Sequence, residues 1–444
     1  MSTCLHRRRA LAHLLFGSGA IGLRAMASGL PISMLLNPRR ALAAITGEAK
    51  DVAAVTPQFV LMSTSQGGDP VNANAPGTYS DPGIQHPSDP SMAATTFSVG
   101  STQTTAAKVW SQLPASALSR TCFFHHGTYT VVHPDERNVL ALMGAIDGGE
   151  MLPSMLAKNL MGPLGTLRAQ PISLWPDSNE AISFNGSPLP LMTPQSLAQG
   201  IAAPTNGLGT QSLLTLRDQS LDRLHSLIKQ GGTPAQKAFV DAYATSSDQI
   251  RVLQDKLLST LSSITDNSPV SQIKAAIALF HMKVTPVVTI HIPFGGDNHG
   301  DPNLGTEVAE HQSGTQTLTQ MTTLLQDAGL DSQVTFVMMN VFGRTMAAGK
   351  TANGRDHNGE HHVTVMMGPH IKGSVIGGVG KMAGGDYGAT AIDSGTGASS
   401  AGGDIGFSDT FGSMGKTLAR AVGLSDAAVQ QNIKQGTAIQ AALA

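Results

Sequence analysis

The sequence predicts an α/β fold built on a central, largely parallel sheet. Two observations carry that prediction. The last third of the chain alternates short apolar runs with helical segments, as sheets wrapped by crossover helices do. Several of those runs also end in a turn rich in Asp or His, and in open parallel sheets such turns meet along one edge, where ligands bind.

Taken in order, "PQFVLMSTSQGGDP" reads as a buried strand over Phe59–Ser63, with Gly67-Gly68-Asp69 as the turn after it. A Pro/Asn/Asp/Ser loop follows to about Pro90. "TCFFHHGTY" is a second strand candidate. "HPDERNVLALMGAI" reads as a helix over about 134–146, with Pro134, Asp135 and Glu136 in its first turn. Leu213, Leu221, Leu224 and Ile228 share one helical face, and Ile250, Leu253, Leu257 and Leu261 another. Together with a third helix starting at Ser268-Pro269, these define a helical insertion over about 205–282.

"VTPVVTIHI", "QVTFVMMNVFG" and "HHVTVMMG" are the later strands, with a helix in "TEVAEHQSGTQTLTQMTTLLQDAGL". Gly377 to Phe407 lacks periodicity and reads as a mobile surface loop. "SDTFGSMGKTLARAVGL" closes with a helix capped by Ser408 or Asp409.

The N-terminus reads as a targeting segment rather than as part of the fold. Arg7, Arg8 and Arg9 precede a weakly apolar stretch, and Ala41-Leu42-Ala43 offers a small-x-small cleavage site. The arginine cluster resembles a twin-arginine export signal. Arg24 and several glycines weaken the stretch as a membrane span, so no stable span is expected after cleavage. Loss of residues 1–43 removes six of the 28 basic residues and no acid, leaving 22 against 30 acidic, a net of −8. That balance argues against nucleic acid as the main partner. Cys4 falls in the signal and leaves Cys122 alone, so the mature chain forms no internal disulfide.

Three turns hold the candidate chemistry: Asp69; then Asp297, His299 and Asp301 in "GGDNHGD"; then Asp356, His357, His361 and His362 in "NGRDHNGEHH". Carboxylate and neutral imidazole together suit zinc, manganese or iron. Each stretch also has a plainer reading, since Asn, Asp and Gly are ordinary turn formers. His361 and His362 point to opposite faces if they begin a strand, and His125 and His126 pose the same choice. His311 beside Glu307 reads as a surface i,i+4 pair. Arg344 could clamp an anion or brace a carboxylate.

In that order, the motifs resemble the exported domain-of-unknown-function 1501 (DUF1501) family, a remote branch of the alkaline phosphatase and sulfatase superfamily. The matching residues are Gly68 and Asp69; Asp297, His299 and His311; Phe342 to Thr345; Gly354, Asp356 and His357; and Gly368, Lys372 and Gly373. The resemblance implies an alkaline-phosphatase-like domain over 44–444: a mostly parallel sheet sandwiched by helices, with metals at the strand ends. It implies Asp69, Asp297, His299, Asp356 and His357 as ligands of divalent metal, zinc, manganese or similar. The nucleophile it implies would lie at a helix N-terminus, where Thr128 and Thr130 are the candidates, with Arg344 as the anion clamp. Val132-His133 stands where the family usually has Ser-His.

The function expected is that of an exported, periplasmic metal-binding protein that hydrolyses phosphate or sulfate esters. Its partners would be the twin-arginine export machinery and a small anionic ester. The alternative is a non-catalytic periplasmic binding or assembly protein that keeps the fold, favoured by the lack of a clear nucleophile motif and of any histidine after His370.

Overall fold

A computed structural model describes residues 55–174, 182–202, 259–349 and 353–444, together with four isolated positions between 223 and 231. The expected signal and most of the helical insertion lie outside the described residues. The chain divides into two units, one of Met1–Val52 with Gln199–Ser262, the other of Ala53–Ala198 with Ser263–Ala444. The second unit carries the sheet.

Seven strands form that sheet: β1 (Phe59–Ser65), β2 (Thr121–His126), β3 (Ile172–Ser173), β4 (Val287–Ile290), β5 (Val334–Asn340), β6 (His362–Met367) and β7 (Ser374–Ile376). Their spatial order is β7-β2-β6-β5-β1-β4-β3. All pairings are parallel except those of β6, which runs against both β2 and β5. The N-terminus of β6 therefore lies at the edge where the other strands end. Loops before β6 and loops after β1, β2, β4 and β5 meet there.

β1 shows why its first four residues, Phe59 to Met62, are all apolar. Val60 and Met62 join a core with α1 (Leu152–Leu164) and α4 (Thr410–Ala421) on one face. Phe59 packs on Phe280 of α2 (Pro269–His281), ring centroids 4.9 Å apart. A strand buried on both faces has no polar alternation to show. α2 starts as its sequence predicts: Pro269 occupies the first turn and the Ser268 side chain accepts from Ser271 N–H.

Three local expectations need correction. The 134–146 helix is broken into a 3-10 turn, a short helix over Glu136–Leu140 and a second turn, because Leu142 and Met143 take positive φ of 51° and 55°. The 377–407 segment is no featureless loop. A hairpin pairs Val379–Lys381 with Tyr387–Ala389, and Ile392 and Ile405 are buried. Asp409 stands at the N-cap position of α4, but its side chain makes no capping hydrogen bond; a 3-10 turn over Phe407–Asp409 leads into the helix.

α3 (Gly305–Ala328) fixes the site loops. Asp301 accepts from the backbone N–H groups of Thr306 and Glu307, both at 3.0 Å, and so satisfies the first turn. Glu307 is buried and makes an ion pair with buried Arg355 through Nε (2.7 Å) and Nη2 (3.0 Å). It also accepts from Asn298 (2.9 Å) and Asn74 (2.6 Å). His311, expected on the surface, is buried instead, its Nδ1–H donating to Glu307 O at 2.9 Å. Replacing Glu307 with Gln leaves the Arg355 charge buried without its partner, which costs ~3–5 kcal/mol. Denaturant melts of Glu307→Gln should show that loss; an unchanged midpoint would contradict it.

Where β2 meets β6, four histidines are sealed in the interior. His125 Nδ1 and His361 Nε2 lie 2.9 Å apart, and His125 Nε2–H donates to Pro76 O at 2.9 Å. On the other face His126 Nδ1–H donates to Gly127 O, and its Nε2 accepts from Thr364 Oγ1, both at 2.8 Å. Burial pushes His125 and His126 down to about 4, and His361 and His362 well below the ordinary range. The unfolded chain binds protons on these groups from about pH 6.5 downward, whereas the folded chain does not. Stability is then complete above about pH 6.5 and falls as pH drops toward about 4. Urea midpoints measured across that window test this; a flat profile would count against it.

Candidate metal centre

The residues that converge at the strand ends come from three loops. His133 opens the turn after β2, Asp297 and His299 follow β4, and His357 lies between β5 and β6. One ligand atom from each lies within 4.8 Å of all the others. His299 Nε2 is 2.6 Å from His357 Nε2 and 3.3 Å from Asp297 Oδ1, and His133 Nε2 is 3.4 Å from Asp297 Oδ2.

Each imidazole has its other nitrogen committed. His133 Nδ1–H donates to Gln66 O (2.7 Å), His357 Nδ1–H to Val131 O (2.5 Å), and His299 Nδ1–H to Asp356 Oδ1 (3.0 Å). Carbonyl and carboxylate oxygens only accept, so these bonds select the tautomer protonated on Nδ1. In the neutral rings Nε2 is then a lone pair, and three such lone pairs with one carboxylate point at a common space. This is the outer-shell arrangement that orients imidazoles for a metal. Three imidazole nitrogens and a carboxylate suit a borderline transition ion, not magnesium or calcium.

Phe342 backs the site. Its ring stacks on His357 (centroids 4.2 Å) and meets His133 edge-on (4.9 Å). Gly68 at φ +67° is needed there, because a Cβ would strike the Phe342 ring. Gly354 at φ +118° likewise lets the 353–357 loop press on the backbone of Asn298 and His299.

Arg344 is buried and all three of its nitrogens are engaged. Nε–H donates to Gly68 O (2.6 Å), Nη2–H to Gly67 O and Asp297 Oδ1 (2.8 Å), and Nη1–H to Arg355 O (3.3 Å) and to His299 Nε2 (3.4 Å). It braces a carboxylate, and that is the second of the two roles its sequence allowed. Burial opposes ionisation of Asp297, but the bond to Arg344 and the neighbouring positive charge outweigh it and hold the carboxyl below its ordinary range. Burial chiefly, with Arg344 nearby, lowers His357. Both effects keep the donors in their metal-binding protonation states.

Of the five expected ligands, Asp297, His299 and His357 are brought together. Asp356 stands behind His299, its side chain 77% exposed. Asp69 does not join the cluster. It is buried, and its Oδ1 accepts from the N–H groups of Phe294 (3.2 Å) and Gly296 (2.6 Å). Burial acts against its ionisation, yet His291 and those two N–H groups lower its pKa. It therefore ties the end of β1 to the loop after β4. Thr130 Oγ1–H donates to Asp135 Oδ2 at 2.6 Å, and Thr128 is buried with no partner for its hydroxyl. Neither is in the cluster.

His133 is the member the sequence concealed. Its signals were an imidazole directly before Pro-Asp-Glu at a helix start, a position just beyond an apolar strand, and its place in the Val132-His133 pair where the resembled family usually has Ser-His.

No family model matches the chain, and no curated protein matches it in sequence. Fold and site together define a mixed α/β protein whose His/Asp cluster could hold a metal ion. Among the described residues no helix is long and apolar enough to cross a membrane.

The geometry separates ligands from supports. His133→Ala and His357→Ala should each abolish tight binding of one transition ion. Asp356→Asn should weaken it by about 10–100-fold, as outer-shell losses do. Asp69→Asn should lower stability and leave affinity nearly unchanged. Competition titration with a chromogenic chelator reads all four; full affinity in His133→Ala would overturn the ligand set.

Proposed function

We propose that the protein is an exported, metal-dependent hydrolase of phosphate or sulfate esters, with an alkaline-phosphatase-like fold of the domain-of-unknown-function 1501 kind. The observation that carries the reading is the convergence of three Nε2 lone pairs and Asp297 at the C-terminal edge of a mostly parallel sheet. A divalent ion bound there supplies Lewis acidity toward an ester oxygen.

The chain's own residues then have distinct tasks. Arg344 holds Asp297 in place and ionised, and Asp356 fixes His299. Phe342 keeps water from the back of the cluster, while its front is open, with the His299 and Asp297 side chains 42% and 50% exposed. Thr130 is tied to Asp135 and Thr128 is buried, so the reading assigns attack on the ester to water rather than to a chain hydroxyl. Arg344 has its nitrogens engaged, so it supports the ligands instead of gripping the substrate. The twin-arginine-type signal places the mature protein in the periplasm in this reading.

Elemental analysis of mature protein, purified without chelator from an export-competent host, should find about one zinc, manganese or iron per chain. That protein should turn over an aryl phosphate or aryl sulfate, and His357→Ala should lose both metal and turnover. Absence of metal, with no thermal shift on adding any, would sink the reading. Bound metal without turnover of either ester class would favour the binding or assembly protein.

A further inference from the structure

Val131 and Val132 are the two most exposed large apolar side chains among the described residues, at 51% and 48%. A single exposed valine needs no explanation. These two are consecutive, they directly precede His133, and the Val131 carbonyl is the acceptor that orients His357. They therefore sit on the lip of the metal centre.

Their exposure is imposed by a fixed backbone. Thr128 and Tyr129 N–H both donate to Gly359 O at 2.9 Å. Tyr129 is held at φ 61°, a conformation disfavoured for a bulky residue, with its hydroxyl donating to Phe407 O at 2.7 Å. Val132 N–H donates to Thr130 Oγ1 at 3.2 Å, and Asp135 N–H donates to Val132 O at 3.0 Å. A loop pinned at both ends and through its middle presents two isopropyl groups to solvent beside a polar cluster. Such pre-organised apolar surface at a site's edge is suited to fix the non-reacting part of a ligand.

We propose that Val131 and Val132 form the apolar half of the substrate subsite, so that the ester carries an aryl or alkyl group against them while its anionic head meets the histidine cluster. This rests on the hydrolase reading and narrows it to amphiphilic esters. An entirely polar ester would leave both valines wet and gain nothing from them.

The test uses two inert anions with the same head, phenylphosphonate and methylphosphonate. Each is titrated calorimetrically into the full mature chain with its metal content measured. Wild type should bind the phenyl compound tighter by roughly five- to tenfold, the scale of partial burial of one ring. The shape-preserving variant V131T/V132T should lose that preference and keep its affinity for methylphosphonate within about twofold, with unchanged metal content and melting temperature. Val132→Ala serves as a milder variant should the double one fold poorly. A wild type that binds both anions equally, or a folded variant that keeps the full preference, overturns the subsite and leaves the hydrolase reading standing. Failure of both anions to bind metal-loaded wild type overturns both.

Discussion

Glu307 lies buried in the first turn of α3, and four N–H donors from Arg355, Asn298 and Asn74 converge on its carboxylate. Arg355 directly precedes Asp356 and His357, and Asn298 stands between Asp297 and His299. One carboxylate thus anchors both loops that supply most of the candidate metal centre. A buried ion pair is weak evidence for stability in itself. Here it sets position, because neither loop can shift without stripping hydrogen bonds from a buried charge.

The same logic places Arg344. A buried guanidinium beside a candidate cation site at first looks unfavourable, since it adds positive charge where a metal would bind. Its donors, however, go mainly to the carbonyls of Gly67, Gly68 and Arg355 and to Asp297, with one longer contact to His299 Nε2, and Asp356 contributes a second carboxylate behind His299. With neutral imidazoles, the two aspartates and Arg344 leave a net single negative charge around the donors. Arg344 is then the element that holds Asp297 with one oxygen fixed and the other, Oδ2, turned toward His133.

Five of the seven strands were legible because each carries a run of apolar residues; β3 and β7, of two and three residues, are too short to leave one and were not read from the sequence. The sheet edge was legible because Asp and His crowd the turns after those runs. Roles within the turns were not, for a geometric reason. Asp356 and His357 are adjacent, yet one turns its carboxylate to an imidazole Nδ1 and the other its Nε2 to the cluster, and no sequence pattern distinguishes these. Asp69 misled because a carboxylate that binds backbone N–H groups across a sheet edge has the same local sequence as a ligand. His133 was hidden because it opens what reads as an ordinary helix start. The break at Leu142 and Met143 was hidden because left-handed backbone at such residues leaves no compositional trace.

Two groups of histidine share this edge, and hydrogen bonding separates them. His125 and His126, inside the sheet, have both ring nitrogens engaged by protein atoms, so no lone pair is left for a ligand. His133, His299 and His357, on the loops, have Nδ1 committed to an oxygen outside the cluster, and of their Nε2 atoms only that of His299 meets a protein donor, Arg344 Nη1–H at 3.4 Å. Their Nε2 atoms face one another or a carboxylate at 2.6–3.4 Å. Neutral lone pairs at such separation repel unless a proton or a cation lies between them. Arg344 meets one of those lone pairs, at His299, and a metal ion that the cluster could hold would meet the others, whose tautomers are fixed from behind.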